Sequence, residues 1–596
     1  MSVRKESTFS AADYVVFVGT LLVSFSIGVF FAIWERKKNT PTDYFLAGRN
    51  FNTLPVALSF IVTFQSSLMI IGVPAEGYAY GMKMLYYVVG VITAYIFAGI
   101  FIVPVFHPLR LTSVYEYFYL RFGDNVLRYL TLTSGVLYNI FYMGTVTYGT
   151  CVALEVVMGI PFWGTIIIYT TVTAVYTSIG GIKAVIWTDV FQMLIMLTGI
   201  IAVLIKSTVD VGGTANIIKY AGDRFDAADF RFDPTIRYQF WNTSFGSFSI
   251  MLICTYMQPA MQRVYSTPSV KSARTLYFIS APLYALFLSM AALEGAFIFA
   301  YFVSKRCDIL DGGLVENINE ILPFTIQQLF SDYPGFAGLF IASLSSAALS
   351  TLSSCLSSLS AVTYVDIIKV NFPNIGVYKA TNISKVLVLF YGLVAMLLAF
   401  GIALIPGTIH AIFAGFMGCI DGPTCGVFVL SSMWRRSTSK GLFIGAIAGF
   451  CVSLWLNVGQ TFTNLPSYPY LPPGPTDNCS SFLDQAWNAT DFSYVQNTEM
   501  PTTEMPTTDM STSSPEKTVL ETIYSISFIL FSFIGFATSL VFGVVFSLLT
   551  SPPKVINESC IFSFQKHIID DLFKPKVTRD EMAKDTTEME FFVKKE

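Results

Sequence analysis

Ser59-Phe-Ile-Val-Thr-Phe-Gln-Ser-Ser-Leu-Met-Ile-Ile-Gly-Val-Pro74 is an apolar run whose middle is interrupted by Thr63, Gln65, Ser66 and Ser67. An unpartnered amide in hydrocarbon costs on the order of several kcal/mol, so Gln65 must find partners. A continuous helix that hydrogen-bonds to its neighbours would supply them. So would a helix that unwinds near 62–66 and frees carbonyl oxygens able to hold a cation. Either way the stretch reads as the inside of a membrane protein.

The whole chain supports that reading. Charged residues make up 13%, against about 25% in ordinary globular domains, and apolar residues reach 54%. A net charge of -3 with no basic block gives no reason for a nucleic-acid partner. The first ten residues are polar, which argues against a signal peptide. Apolar runs predict an all-α polytopic protein with thirteen spans, at about 12–34, 52–72, 83–106, 127–157, 160–179, 184–205, 240–260, 275–304, 335–365, 384–405, 409–433, 441–458 and 519–550.

Basic residues orient these spans. Arg36, Lys37, Lys38 and Arg49 follow the first, Arg110, Arg121 and Arg128 the third, Arg263, Lys271 and Arg274 the seventh, Arg435, Arg436 and Lys440 the eleventh. All fall on one side, which is therefore cytoplasmic, with the amino terminus outside and the tail 551–596 inside. The loop 459–518 is then extracellular. It carries the glycosylation acceptors Asn478-Cys-Ser and Asn488-Ala-Thr and a repeated Glu-Met-Pro-Thr-Thr at 499–503 and 504–508. Of nine cysteines only Cys307 and Cys479 fall in outer loops, where a disulfide is chemically allowed.

Two further stretches are too polar for lipid. Ser343, Ser346, Ser350, Ser353, Ser357 and Ser360 recur at helical spacing in the ninth span, beside a stripe of Ala347, Thr351, Ser354 and Ser358. Small residues in rows permit close helix approach. The adjacent hydroxyls of Ser350 and Thr351 could also offer two oxygens to one ion. Asp421, in Gly-Cys-Ile-Asp-Gly-Pro, is a carboxylate at membrane depth and so a functional candidate, and Gly422 and Pro423 suggest a local helix break. Glu155 and Glu294, nearer span ends, are expected to snorkel or pair. No nucleophile elbow, P-loop or metal-ligand cluster is present, and the three histidines, including His107 and His410, are scattered, so an enzyme is not expected.

Several long motifs resemble one family. They are Asp43-Tyr-Phe-Leu-Ala-Gly-Arg49, Gly72-Val-Pro-Ala-Glu-Gly-Tyr-Ala-Tyr-Gly81, Thr112-Ser-Val-Tyr-Glu-Tyr-Phe-Tyr-Leu-Arg-Phe-Gly123, Tyr176 to Gln192, Gln262-Arg263 and Leu349-Ser-Thr351. In this order they resemble the sodium/solute symporters, the group of sodium-coupled sugar, iodide, monocarboxylate and multivitamin carriers. The resemblance implies a LeuT-type core of two inverted five-helix repeats with one leading span, in a multi-pass plasma-membrane protein. The expected division is 1–51 for the leading helix and its cytoplasmic loop, 52–205 for the first repeat, 206–239 for an outer loop and 240–433 for the second repeat. A further helix at 434–458, the loop 459–518, the last helix 519–550 and the tail 551–596 complete it.

Carried onto this chain, the resemblance implies a sodium site from the Ser350 and Thr351 side chains and the carbonyls of Ala347, Val62 and Gln65. Asp189 and Gln192 match positions implicated in sodium passage; for Asp189 an interfacial pair with Lys183 or Arg263 is an equal alternative. Thr63, Ser66, Met69, Tyr142, Gln258 and Asp421 are the expected solute-lining residues. Met69, Met257 and Asp421 depart from the family pattern: the first two make the pocket more apolar and the third adds negative charge. The expected activity is sodium-coupled import of an organic anion, a monocarboxylate or a vitamin such as biotin or pantothenate. An iodide-type symporter and a non-transporting solute sensor with sodium conductance are the alternatives. Sodium, the solute and the bilayer are the expected partners.

Overall fold

The computed structural model describes residues 9–34, 41–226, 229–315, 317–403, 409–463, 470–480, 518–552 and 557–563, and every regular element among them is helical. The main helices are α1 (Ala11–Trp34), α2 (Thr53–Thr63), α3 (Ser67–Tyr80), α4 (Tyr86–Phe97), α5 (Val126–Met158), α6 (Phe162–Val211), α7 (Phe240–Tyr256), α8 (Gln258–Ser266), α9 (Val270–Ser304), α10 (Phe336–Val362), α11 (Val377–Ile402), α12 (Ile409–Met433), α13 (Ser439–Phe462) and α14 (Phe531–Leu549). Among the described residues, eight helical stretches are long and apolar enough to cross a membrane. The expected spans at 127–157, 240–260 and 409–433 and the first half of 52–72 are largely helical as well but fall outside those eight. The chain is a multi-pass membrane protein.

The spans expected at 160–179 and 184–205 run as one hydrogen-bonded element, α6, interrupted at Gly181 with φ 60 and ψ -166. That conformation is nearly closed to residues with a Cβ, and a Cβ here would sit 2.9 Å from the Tyr44 ring and from its carbonyl oxygen. The kink therefore does the work of a loop.

The serine-rich α10 is the middle of the molecule. Every residue from Phe340 to Val362 is buried, as expected of a helix apolar or small on all faces. Many of its hydroxyls hydrogen-bond to carbonyls, as in Ser343 to Met196 at 3.2 Å and Ser358 to Ser354 at 2.7 Å, while those of Ser345, Ser346 and Ser357 are buried without a hydrogen-bond partner among the described residues. Asp13 on α1 tethers its N-terminal end, where Oδ1 accepts from the Gly335 and Gly338 amides at 2.9 and 2.8 Å. A carboxylate there satisfies orphan donors and complements the helix dipole. At the C-terminal end of α12 the buried Arg121 plays the opposite part, donating to the carbonyls of Ser431 and Arg435.

Two helix crossings are made backbone to backbone. Gly77 of α3 and Gly295 of α9 face each other: a Cβ on Gly295 would lie 2.0 Å from the Pro74 carbonyl oxygen, and one on Gly77 2.4 Å from that of Ala292. Gly422 of α12 packs in the same way on Ser532 of α14, at 1.9 Å. The helix break expected at Gly422-Pro423 is therefore corrected, because α12 runs unbroken from Ile409 to Met433 and glycine serves close packing.

Cys307, just past α9, is disulfide-bonded to Cys479, their Cα atoms 4.8 Å apart. The bond anchors segment 470–480 over the ends of α3 and α9, where the Leu471 amide donates to Ala79 at 2.9 Å and the Asp308 amide to Pro475 at 2.8 Å. Arg224 reinforces the seam, donating to the carbonyls of Tyr78 and Pro472. Asn478 lies beside the disulfide with its amide donating to the Lys305 carbonyl; Asn488 lies outside the described residues. Closing a loop of 172 residues restricts the unfolded chain by about 5 kcal/mol on the entropic account. Cys307→Ser combined with Cys479→Ser is expected to lower the thermal midpoint by the same amount that reductant lowers it in the parent chain. A midpoint insensitive to reductant would remove the disulfide from the account of stability.

Candidate functional site

Of the two arrangements open for the 59–74 stretch, the structure adopts the unwound one. α2 stops at Thr63 and α3 starts at Ser67; between them Phe64 has φ -102 and ψ 3, and Ser66 has φ -84 and ψ 172. The amides of Phe64 and Gln65 still donate to the carbonyls of Ile61 and Val62, at 3.3 and 3.1 Å. Gln65 is wholly buried with neither side-chain amide atom hydrogen-bonded. A second break separates α7 from α8 at Met257, with φ -63 and ψ 150.

α10 passes the first break. The Thr351 hydroxyl lies 3.1 Å from the Ala347 carbonyl and 3.4 Å from that of Thr63. The hydroxyl, both carbonyls and the neighbouring Val62 are buried together. Ser350 serves a different neighbour, since successive helical residues diverge by about 100°. Its hydroxyl donates to Asp189 Oδ1 at 2.6 Å. A hydroxyl that donates its proton to a carboxylate keeps its lone pairs for another acceptor role.

Asp189 pairs with Arg263, and the pair is fully buried rather than interfacial, with both side chains at 0% exposure and Nη2 2.7 Å from Oδ2. Ser59 donates to the same oxygen at 2.5 Å, and the Arg263 Nε donates to Ser59 at 2.7 Å. The remaining guanidinium contacts are Ser354 at 2.7 Å and the Pro259 carbonyl at 2.9 Å. One ion pair thus joins α2, α6, α8 and α10. Burial of two charges is tolerable only when both are paired and hydrogen-bonded, as here. Gln192, one turn along α6 from Asp189, is buried with neither amide atom hydrogen-bonded.

Of the expected solute-lining residues, Thr63, Ser66 and Tyr142 come together. The Tyr142 hydroxyl is within hydrogen-bonding reach of Ser66 and Thr351, and the Thr63 hydroxyl bonds Ser59 and approaches Ser354. Met69 is half-buried with its sulfur 3.8 Å from the Tyr284 hydroxyl. Gln258 is engaged elsewhere: its oxygen accepts from the Val114 amide at 2.8 Å and its nitrogen donates to the Thr112 carbonyl at 2.7 Å. Asp421 is 2% exposed, with Oδ1 unpartnered. Glu294 departs from expectation, since it is 1% exposed with neither carboxylate oxygen hydrogen-bonded, so it neither snorkels nor pairs.

Sequence reasoning gave no role to Ser59 or to Ser354, which it placed only in the small-residue stripe. Ser354 stands one turn from Ser350 and Ser59 one turn from Thr63, so helical spacing could have brought both into the site. An arginine in an apolar segment also demands an acid and hydroxyls around it.

The profile of the sodium:solute symporter family matches residues 44–449. The chain is 32% identical over 569 residues to sodium-coupled monocarboxylate transporter 2 of Bos taurus, covering 93% of this chain and 88% of that one. It is 34% identical over 552 residues to the sodium-dependent multivitamin transporter of Oryctolagus cuniculus, covering 91% and 83%. Against the sodium/iodide cotransporter of Homo sapiens it is 32% identical over 564 residues, covering 92% and 85%. Its fold is similar to that of a Na+-coupled sialic acid symporter solved in a substrate-bound outward-open state, with a TM-score of 0.73 at 22% identity, over 92% of this chain and 99% of the other. With helices broken at 64–66 and 257 around a buried polar centre, and with these relatives along nearly its whole length, the chain belongs to the sodium:solute symporter family.

Proposed function

We propose that this chain is a sodium-coupled symporter of the plasma membrane, importing a small solute by alternating access. The observation that carries the reading is the Thr351 hydroxyl, held between the Ala347 and Thr63 carbonyls where α2 ends. Oxygen ligands of this neutral kind suit a hard monovalent cation. Sodium would be held by the Thr351 and Ser350 hydroxyls with the carbonyls of Ala347, Val62 and Gln65, and would leave towards the cytoplasm past Asp189 and Gln192. The solute would sit against Thr63, Ser66, Met69 and Tyr142.

The core is read as two inverted repeats, 52–205 and 240–433, within thirteen crossings that start outside and end inside. The pairing of breaks supports this, because the leading helix of each repeat is the interrupted one, at 64–66 and at 257. The membrane potential supplies about 2.3 kcal/mol per inward charge per 100 mV. Sodium does useful work only if it binds the solute-competent state more tightly than its alternative.

The test is uptake by cells expressing the chain, with sodium and then with N-methyl-D-glucamine, offering labelled lactate, biotin, pantothenate and iodide, after the solutes named for the relatives. Thr351→Ala is expected to raise the half-saturating sodium concentration about tenfold, the weight of about 1.4 kcal/mol, at unchanged surface density. Wild-type sodium activation in Thr351→Ala and Ser350→Ala alike would refute this site.

A further inference from the structure

Asp421 lines a small, partly open cavity of about 10 Å³ with Tyr115, Tyr138, Ser134 and Thr424, the rest of its wall, Met257 included, being apolar. That is room for one water-sized occupant. The lining offers oxygens from five side chains and no lysine, arginine or histidine. Among the described residues Asp421 enters no ion pair, and its Oδ1 meets no donor at 2% exposure. The Tyr87 and Tyr138 hydroxyls and the thiols of Cys254, Cys419 and Cys425 are also in electrostatic reach, and none of them is a cation.

The cavity is not remote from the polar centre. Tyr138 and Tyr142 lie one turn apart on α5 with ring centroids 5.9 Å apart, and the Tyr142 hydroxyl reaches Thr351. Met257, at the second helix break, forms part of the cavity wall.

We propose that the Asp421 cavity is a second monovalent-cation site, which takes a compact positive centre during the working cycle. A buried carboxylate without a partner is costly, whereas one closed on a cation by hydroxyl oxygens is not. The site rests on the symport reading above, and its occupant has two possible sources with one chemistry. One is a second sodium ion; the other is the ammonium head of the solute itself. Tyrosine rings beside the carboxylate suit an ammonium group, and five side-chain oxygens set in an otherwise apolar wall suit sodium.

The test uses the full chain purified in detergent, in N-methyl-D-glucamine chloride, with its thermal midpoint followed as sodium chloride or methylammonium chloride is added. Asp421→Asn keeps the shape and removes the charge. If sodium is the occupant, Asp421→Asn weakens the sodium-induced rise, Thr351→Ala weakens it separately, and the double variant loses it. If an ammonium group is the occupant, Asp421→Asn keeps the sodium response and loses the methylammonium response. In either case the concentration for half the shift rises on the order of a hundredfold. Thr424→Val, which removes one oxygen at constant volume, is expected to move the same response in the same direction by less, and it serves if Asp421→Asn does not fold. An Asp421→Asn variant that answers both salts as the parent does overturns the proposal. A parent chain with no sodium response, or one unaltered by Thr351→Ala, counts instead against the symport reading.

Discussion

Arg263→Gln is expected to abolish sodium-driven uptake and to cost about 3–5 kcal/mol of stability, because it strands Asp189 as a bare charge where no water reaches it. Both partners are fully buried, and the guanidinium is also the donor that holds Ser59, Ser354 and the Pro259 carbonyl in register. Asp189→Asn should cost a similar amount by leaving the opposite charge alone. The informative case is the double variant Asp189→Asn with Arg263→Gln. An ion pair contributes little against a neutral pair of similar shape, so most of the thermal midpoint should return. Uptake should stay lost if the pair has to open and re-form on the way to the cytoplasm. Thermal midpoints and initial uptake rates of the four proteins make a complete cycle. Single variants as stable as the parent would mean that the charges are not carrying the contact.

The second large effect comes from one methyl group. Gly295→Ala would place its Cβ 2.0 Å from the Pro74 carbonyl oxygen and 2.7 Å from the Tyr78 amide nitrogen. Those atoms are backbone, so no side chain can swing away, and α3 and α9 must separate. Overpacking that moves a helix costs about 1–3 kcal/mol or more, and here the displaced helix begins at the break beside Thr351. Loss of mature surface protein and a lower midpoint in detergent are the expected results. Gly72→Ala is the control, because nothing lies within 4 Å of its Cβ and alanine favours the helix. Equal behaviour of the two variants would rule out the backbone crossing as a source of stability.

Hydrophobic runs were enough to find the helices, since each expected span is largely helical in the structure, with interruptions inside 52–72, 240–260 and 519–550 and with the pair at Gly181 merged. The break at 64–66 was legible because a glutamine among apolar residues poses a question that only neighbours or an unwound backbone can answer. Asp421 was legible as an exception for the same reason. What surrounds it was not, because Tyr138 arrives from α5 and Met257 from the break between α7 and α8. Gly422 shows the limit from the other side. Glycine beside proline looks locally like a break, and only Ser532, more than a hundred residues later, reveals that the glycine makes room for a helix. Spacing put Ser350 and Thr351 side by side, but which neighbour each hydroxyl would meet depended on how α2 and α6 packed around α10.

Phe64 to Ser66 separate two half-helices with different attachments. α3 is seated on α9 through bare backbone at Gly77, while α2 is tied through Ser59 to the charges on α6 and α8. Swinging one half against the other changes a few dihedral angles and breaks no hydrogen bond within either helix. Mechanical compliance is therefore concentrated next to the carbonyl oxygens of Val62 and Thr63. A cation held on those oxygens, as proposed above, would also stiffen the joint between the two halves.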